Sequence, residues 1–478
     1  MTSNRAGEQL SGHKAPDGGL PADRGGSPAA QSDWLLPRAP GPVRAVVRLP
    51  GSKSMTNRAL VLAALSDRPT LITGPLVARD TRLMADALRA LGCRITESPE
   101  GWRVEPAALS APGGLAGSGQ AGIDIDVGNA GTVLRFVPPL AALTNADVTF
   151  RGDARVSKRP VAPLLDALRT LGVTISDDGA EAVPFVVHGR GSVPGGPVTL
   201  DASSSSQLVS GLLLAAARFV DGAEVKHSGP PVPSAPHIEM TVRMLRSAGV
   251  DVRAASDSGV PGGTSHERLV TNSWRVLPGQ ISTERIDIEP DLSNAVPFAA
   301  AALATGGEVT VAGWAPDSLQ PAVRIIKLLR SMGAEVHLGA EGLRVTGSGR
   351  ICGVSADLSQ VGELTPVLTA LAALASSPSE FTGIGHLRRH ESDRLAALAS
   401  EIGKLGGDVT ELADGLRIRP APLHGNGVRF DSHDDHRLVM AAAVLGLVTD
   451  GMRVQNAATV GKTFPGFSRC WTQILAPA

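Results

Sequence analysis

The residues of this chain best suited to chemistry sit at the openings of helical stretches. Lys53, Ser54 and Arg58 follow the turn "GSKS" (51–54), and Asn129 and Gly131 lie in "GNAG". Arg159 stands in "SKRP", Gln207 closes "SSSSQ" (203–207), Arg394 is in "ESDRL", Arg437 ends "DDHR" and Lys462 is in "GKTFPGF". Two carboxylates, Glu363 in "GELTP" and Glu391 in "HESDRL", stand among these cations. A helix N-terminus offers unpaired N–H groups and about half a positive charge, so it attracts anions. Arginine adds a planar fork that grips carboxylate or phosphate bidentately. Such a set suits small polyanionic ligands, with carboxylates whose pKa values can be tuned for proton transfer by burial and neighbouring charge. "GSKS" is not a Walker A loop, because Ser52 separates Gly51 from Lys53 where that motif needs adjacent Gly-Lys.

Other chemistries find less support. "SHDDHR" offers His433, Asp434, Asp435 and His436, but neighbours on one helix point to different faces, so no metal is expected. No cofactor is expected either. Lysine plus arginine numbers 45 against 46 for aspartate plus glutamate, which leaves no basic field for nucleic acid or an anionic membrane. Tyrosine is absent and aromatics make up 3%, which weakens any reading built on base stacking. Cys93, Cys352 and Cys470 form no Cys-x-x-Cys pair, which suits a reducing, cytoplasmic compartment. No stretch is apolar enough to span a bilayer.

The elements that must position these residues recur. An Ala/Leu-rich helix opened by small polar residues appears as "SKSMTNRALVLAAL", "NAGTVLRFVPPLAAL", "SSSSQLVSGLLLAAA", "DLSNAVPFAAAAL", "GELTPVLTALAAL" and "HDDHRLVMAAAVL". These helices are apolar nearly all round, which predicts burial on every side. Out of phase with them, an amphipathic helix ends in glycine and runs into a strand, at Gly92, Gly172, Gly249, Gly333 and Gly406. Each glycine fits the position after the last helical turn, where a left-handed conformation closes the helix. Strand patterns such as "TLITG" and "EVTVAG" lie between. Each unit therefore reads βαβαββ. Six units exceed one core, which predicts two domains of three. The sixth is cut short after "FSRCWTQIL", and "VRAVVRLP" (43–50) is a candidate to complete it. The expected division is a disordered tail over 1–33, a first domain over 50–285, and a second over 34–49 plus 286–478, with the site in the cleft between them.

Taken together, "LPGSKSMTNRAL", "GNAGTVLRF", "SKRP", "SSSSQL", "ESDRL", "DDHR" and "GKTFPGF" resemble the 5-enolpyruvylshikimate-3-phosphate synthase family over about residues 40–475. The resemblance implies an α/β, two-domain enolpyruvyl transferase-like fold, each domain three βαβαββ units with buried helices surrounded by sheets. It implies transfer of the carboxyvinyl group of phosphoenolpyruvate to the 5-hydroxyl of shikimate 3-phosphate, with release of phosphate, by a cytoplasmic monomer. It also implies site roles. Lys53, Ser54, Arg58, Ser205, Ser206, Gln207, Ser234, Glu363 and His390 resemble the shikimate 3-phosphate site. Lys53, Asn129, Gly131, Arg159, Gln207, Arg394, Arg437 and Lys462 resemble the phosphoenolpyruvate site. Glu363 corresponds to the carboxylate facing the 5-hydroxyl, and Glu391 and Lys53 to the groups for the other proton transfers. The chain departs from the family where aspartate is common (Glu363), where lysine is (His390), where tyrosine is (His237) and where proline is (Phe136). At His390 the histidine predicts binding that varies with pH near neutrality. A sister enzyme acting on UDP-N-acetylglucosamine typically has Lys-Asn where this chain has Lys53-Ser54. A paralogue with another hydroxylated acceptor and a silent anion-binding homologue are the remaining alternatives.

Overall fold

The structure, a computed structural model, describes residues 33–106, 122–256 and 271–476. The tail expected over 1–33 lies outside the described residues, except for Asp33, which pairs with Arg429.

Among the described residues twelve α-helices alternate between inner and outer positions. They are α1 (Lys53–Leu65), α2 (Arg79–Ala90), α3 (Gly131–Ala141), α4 (Ala162–Thr170), α5 (Ser206–Ala216), α6 (Pro236–Ser247), α7 (Leu292–Thr305), α8 (Ala322–Ser331), α9 (Thr365–Ala373), α10 (Arg394–Lys404), α11 (His436–Gly446) and α12 (Phe467–Gln473). The odd-numbered helices are the Ala/Leu-rich ones. Every residue of α3, α9 and α11 is buried, as is α1 from Met55 to its end. Small residues make this possible: Gly211 of α5 sits directly on the α3 backbone at Arg135 O, and alanines line the contact of α9 with α11. The outer helices bury one stripe only. Met84, Leu88 and Leu91 are buried, as are Leu164, Leu168 and Leu171. The five closing glycines have φ between 84° and 99°, the left-handed turn that glycine adopts without steric cost.

Each complete unit folds into a four-stranded sheet in which the first two strands run parallel and the last two form an antiparallel pair. In the third unit Gly196–Leu200 lies beside Ala223–His227, followed by Thr271–Val276 and, at the edge, Val252–Ser256. Two hydrophobic cores result, one built by residues 55–281 and the other by Leu36–Val47 with residues 292–475.

The strand exchange differs from the sequence expectation. Arg44–Val47, within "VRAVVRLP", does not complete the sixth unit. It pairs in parallel with Glu308–Ala312 in the fourth unit, and Trp34–Leu35 pairs antiparallel with Arg453–Gln455 in the sixth. Conversely, Arg285–Asp287, which precedes α7, pairs with Thr70–Thr73 in the first unit. The boundary expected at 285/286 therefore falls inside a strand of the first core, and the crossing lies just beyond it. Ser52 N donates to Glu289 O at 2.8 Å, and Asp291 N donates to Pro50 O at 3.0 Å. Asp291 then caps α7 through Asn294 N (3.1 Å) and also accepts from Lys53 N (3.3 Å). Two inner helices from different cores thus begin side by side, both opening on the cleft.

Candidate active site

A cavity of about 150 Å³ lies where the inner-helix openings of the two cores meet. Lys53, Ser54, Gly131, Arg159, Ser205, Ser206, Gln207 and Ser234 line it from one core, and Glu363, His390, Glu391, Arg394 and Arg437 from the other. Lys462 joins them through a 2.8 Å ion pair with Glu391. Two expected residues sit differently. Arg58 is fully buried beneath the floor, where its guanidinium donates to Thr241 Oγ1 (2.7 Å), Ser54 O (2.9 Å), Ser210 Oγ (3.3 Å) and His237 O (3.1 Å). Its charge lies 5.1 Å over the Phe136 ring. Asn129 precedes the cavity wall, and its Oδ1 is buried without a hydrogen-bond partner among the described residues.

The structure adds residues that the motifs left unassigned. Arg135, inside "GTVLRF", donates to Gln207 Oε1 (2.9 Å) and Pro160 O, and lines the cavity. Asp80 pairs with Lys53 at 3.3 Å and approaches Lys462 at 4.0 Å. Asp80 gives no sequence signal, since it stands in the first turn of an outer helix with ordinary surroundings. His237, His386, Arg389 and His436 also line the cavity.

Glu391 is the centre of the charge network. His436 Nδ1 lies 2.9 Å from it, Lys462 Nζ 2.8 Å and Arg159 3.7 Å. Burial opposes its ionisation, but His436, Lys462 and Lys53 override burial and hold its pKa well below the usual carboxylate range. In this arrangement Glu391 is a proton acceptor, not a loaded donor. Its partner His436 is pushed down to about 4 by burial, so the neutral ring donates its Nδ1–H to the carboxylate. Asp435 receives Arg394 through two bonds, 2.7 Å to Oδ2 and 3.1 Å to Oδ1, and Arg394 pulls its pKa down against burial.

The expectation that neighbouring "DDHR" side chains diverge fails for one pair. Asp435 is the N-cap of α11 with extended backbone, so its carboxylate and the His436 ring converge with Glu391, one ligand atom from each within 4.8 Å of the others. Arg394 on Asp435 and Lys462 on Glu391 already supply the positive charge there, so the cluster reads as an ion-pair network. His390 faces the cleft with Arg394 Nη1 3.4 Å from its Nδ1, and desolvation within the cleft, with Arg394 next, pushes its pKa below the usual histidine value.

Other cations in the cleft lack such partners. Among the described residues Arg135 finds no carboxylate within ion-pair distance, and it is pushed down to about 9 by burial and by Arg159. Arg437 donates to Ser293 Oγ (2.9 Å) and Asn294 Oδ1 (3.4 Å), and burial lowers its pKa although Asp291, Glu363 and Asp435 attract its charge from beyond ion-pair distance. Buried charge without a counter-ion is costly, and an anionic ligand relieves that cost. Two helix openings add to the pull. Ser205 caps α5 beneath Ser206 and Gln207, and the Gly131 end of α3 carries no side-chain cap.

Comparison with known proteins agrees with this geometry. Residues 37–471 match the model of the family described as EPSP synthase (3-phosphoshikimate 1-carboxyvinyltransferase). A protein of Kocuria rhizophila named 3-phosphoshikimate 1-carboxyvinyltransferase is 48% identical over 461 residues, covering 95% of this chain and 99% of that protein. A solved EPSP synthase from Acinetobacter baumannii superposes with a TM-score of 0.74 at 25% identity, covering 93% of this chain and 98% of that one. The enolpyruvyl transferase NikO from Streptomyces tendae shares the fold, with a TM-score of 0.68 at 17% identity and coverage of 93% and 98%. With a match over most of its length and a relative of this identity, the chain belongs to the EPSP synthase family.

Proposed function

We propose that the cleft binds shikimate 3-phosphate and phosphoenolpyruvate together and transfers the carboxyvinyl group to the acceptor's 5-hydroxyl, with the residues above in defined roles. The observation that carries this reading is a pair of buried guanidinium groups in the cavity wall, Arg135 and Arg437, that make no ion pair among the described residues and stand near the starts of the inner helices α3 and α11. Ser205, Ser206 and Ser234 supply hydroxyls for the acceptor phosphate, with Ser54 at the acceptor's other side. Arg58 acts from below, fixing Ser54 and the His237 carbonyl. Arg159, Arg394, Arg437 and Lys462 take the phosphoenolpyruvate charges around Gly131, Lys53 serves both substrates, and Gln207, held by Arg135, lies between them.

Glu363 accepts the proton of the 5-hydroxyl. Glu391 carries the proton exchanged at C3. Phosphate and carboxylate oxygens of phosphoenolpyruvate draw Lys462 away from Glu391 and add negative charge beside it, so its pKa rises from the depressed value of the free cleft although His436 stays bonded to it. Substrate binding thus converts Glu391 from a locked carboxylate into a group able to take and return a proton. The cations meanwhile stabilise the departing phosphate. We further propose that the two cores are domains that close over this cleft, and that the chain works as a cytoplasmic monomer. No described helix is long and apolar enough to cross a membrane.

The test is phosphate release from phosphoenolpyruvate with and without shikimate 3-phosphate, with mass detection of the product. Acceptor-dependent release of phosphate with formation of the enolpyruvyl adduct is expected. Release without the acceptor, or none with it, overturns the reading.

A further inference from the structure

At the rim of the cleft, away from the cavity lining, one cation bridges the two cores. Arg155, just before Arg159 on the first core, lies 3.0 Å from Asp434 Oδ2, and its Nη1 donates to His433 O at 3.2 Å. The turn it meets is unusual. His433 and Asp434 are consecutive non-glycine residues with φ of 50° and 56°, a left-handed conformation that side chains rarely adopt. Surrounding bonds hold it there. Asp431 Oδ1 accepts from His433 N (2.7 Å), Glu401 Oε1 lies 3.1 Å from His433 Nε2, Asn456 Nδ2 donates to Asp434 Oδ1, and Thr459 Oγ1 donates to Asp434 O (3.1 Å). The turn leads directly into Asp435, which holds Arg394, and His436, which holds Glu391.

We infer that Arg155 and Asp434 form a closure catch, and that both are positioning residues for the transfer reaction. When the first core meets this turn, the catch fixes the approach of Arg159 to Glu391, which lie 3.7 Å apart across the same gap. It also bears on a turn whose next two residues orient Arg394 and Glu391. Neither residue of the catch lines the cavity. It contributes by raising the fraction of molecules whose two half-sites are in register. The inference rests on the enolpyruvyl transfer reading above, and wild-type turnover in the same assay tests that reading separately.

The experiment is a double-mutant cycle with Arg155→Ala and Asp434→Asn. Asparagine tolerates the left-handed region and keeps an oxygen for Asn456, so Asp434→Asn removes charge without removing the turn. Each single variant is expected to lose about three- to fivefold in kcat/KM, the size of an exposed ion pair, chiefly through KM for both substrates. Their melting temperatures should match the wild type. The double variant should lose no more than either single one. Additive losses, or wild-type kcat/KM in both single variants, overturn the inference. A fall in melting temperature that accounts for the lost activity also overturns it, since it would make the pair a stabilising contact and not a catch.

Discussion

At Gly131 the site leaves no room for even one methyl group. A Cβ there would lie 2.7 Å from Arg159 Nη1, 2.8 Å from Arg135 Nη1 and 3.3 Å from Gln207 Oε1. These are the ends of flexible side chains, so the fold survives the change while the anion site does not. Gly131→Ala should raise KM for phosphoenolpyruvate by about tenfold or more, since one unit of log K is 1.4 kcal/mol, and KM for shikimate 3-phosphate should move far less. Steady-state kinetics against each substrate decides it, and equal shifts would count against the assignment. His436 carries a second prediction. Its folded pKa of about 4 lies below the unfolded value near 6.5. As pH falls through 6.5 the unfolded chain gains a proton that the folded chain refuses, so stability is full above 6.5 and drains between 6.5 and 4. The loss from this group is about 2 kcal/mol between pH 6.5 and 5. Denaturant melts at both pH values should show a smaller pH dependence for His436→Gln than for wild type, and identical slopes would exclude His436 as the source. At this scale the sequence discloses which groups are cationic and where the repeats put them. It does not disclose Asp80 or the convergence of Asp435 and His436 on Glu391, because both depend on segments that are distant in the chain.

Local signals explain why the elements were readable. A glycine that closes a helix needs only its own φ and the turn before it, so all five closing glycines could be placed from the chain. Gly249 isolates that effect, since a Cβ there meets nothing within 4 Å, yet its φ is +84°. Gly249→Ala should therefore cost about 1 kcal/mol of stability from backbone conformation alone, with kcat/KM unchanged. Chemical denaturation with parallel kinetics checks both halves, and an unchanged midpoint would remove the conformational argument. Strand partners were less legible. "VRAVVRLP" looks like a strand in any context, but choosing the fourth unit over the sixth is a pairing between Arg44–Val47 and Glu308–Ala312, more than 250 residues apart. The exchange of Arg285–Asp287 into the first unit is the same kind of choice. Alternation fixes which face of a strand is buried and says nothing of which neighbour it pairs with.

Across the whole molecule, each core lends a carboxylate to the other's cation. Arg159 of the first core faces Glu391 of the second, and Lys462 of the second faces Asp80 of the first. These pairs counter the repulsion among Lys53, Arg135, Arg159, Arg394 and Arg437, which the two cores bring to one cavity. The repeat signalled two halves and helix openings rich in cations, but not that the openings would face each other. That depends on the crossing at Ser52–Glu289 and Asp291–Pro50, which joins the cores along one edge of the cleft. Because the cores are drawn together without ligand by ion pairs, the exposed Arg155–Asp434 pair at the rim among them, salt should loosen the cleft. Phosphate groups bound inside are shielded from solvent and neutralise the guanidinium groups directly, so they should hold it shut in the same salt. Small-angle scattering is therefore expected to give a radius of gyration that rises with sodium chloride for the free chain. With shikimate 3-phosphate and phosphoenolpyruvate together it should stay at the low-salt value or below. A radius that ignores both salt and substrates would mean the cores do not move about the crossing, and the cleft would have to admit its ligands without opening.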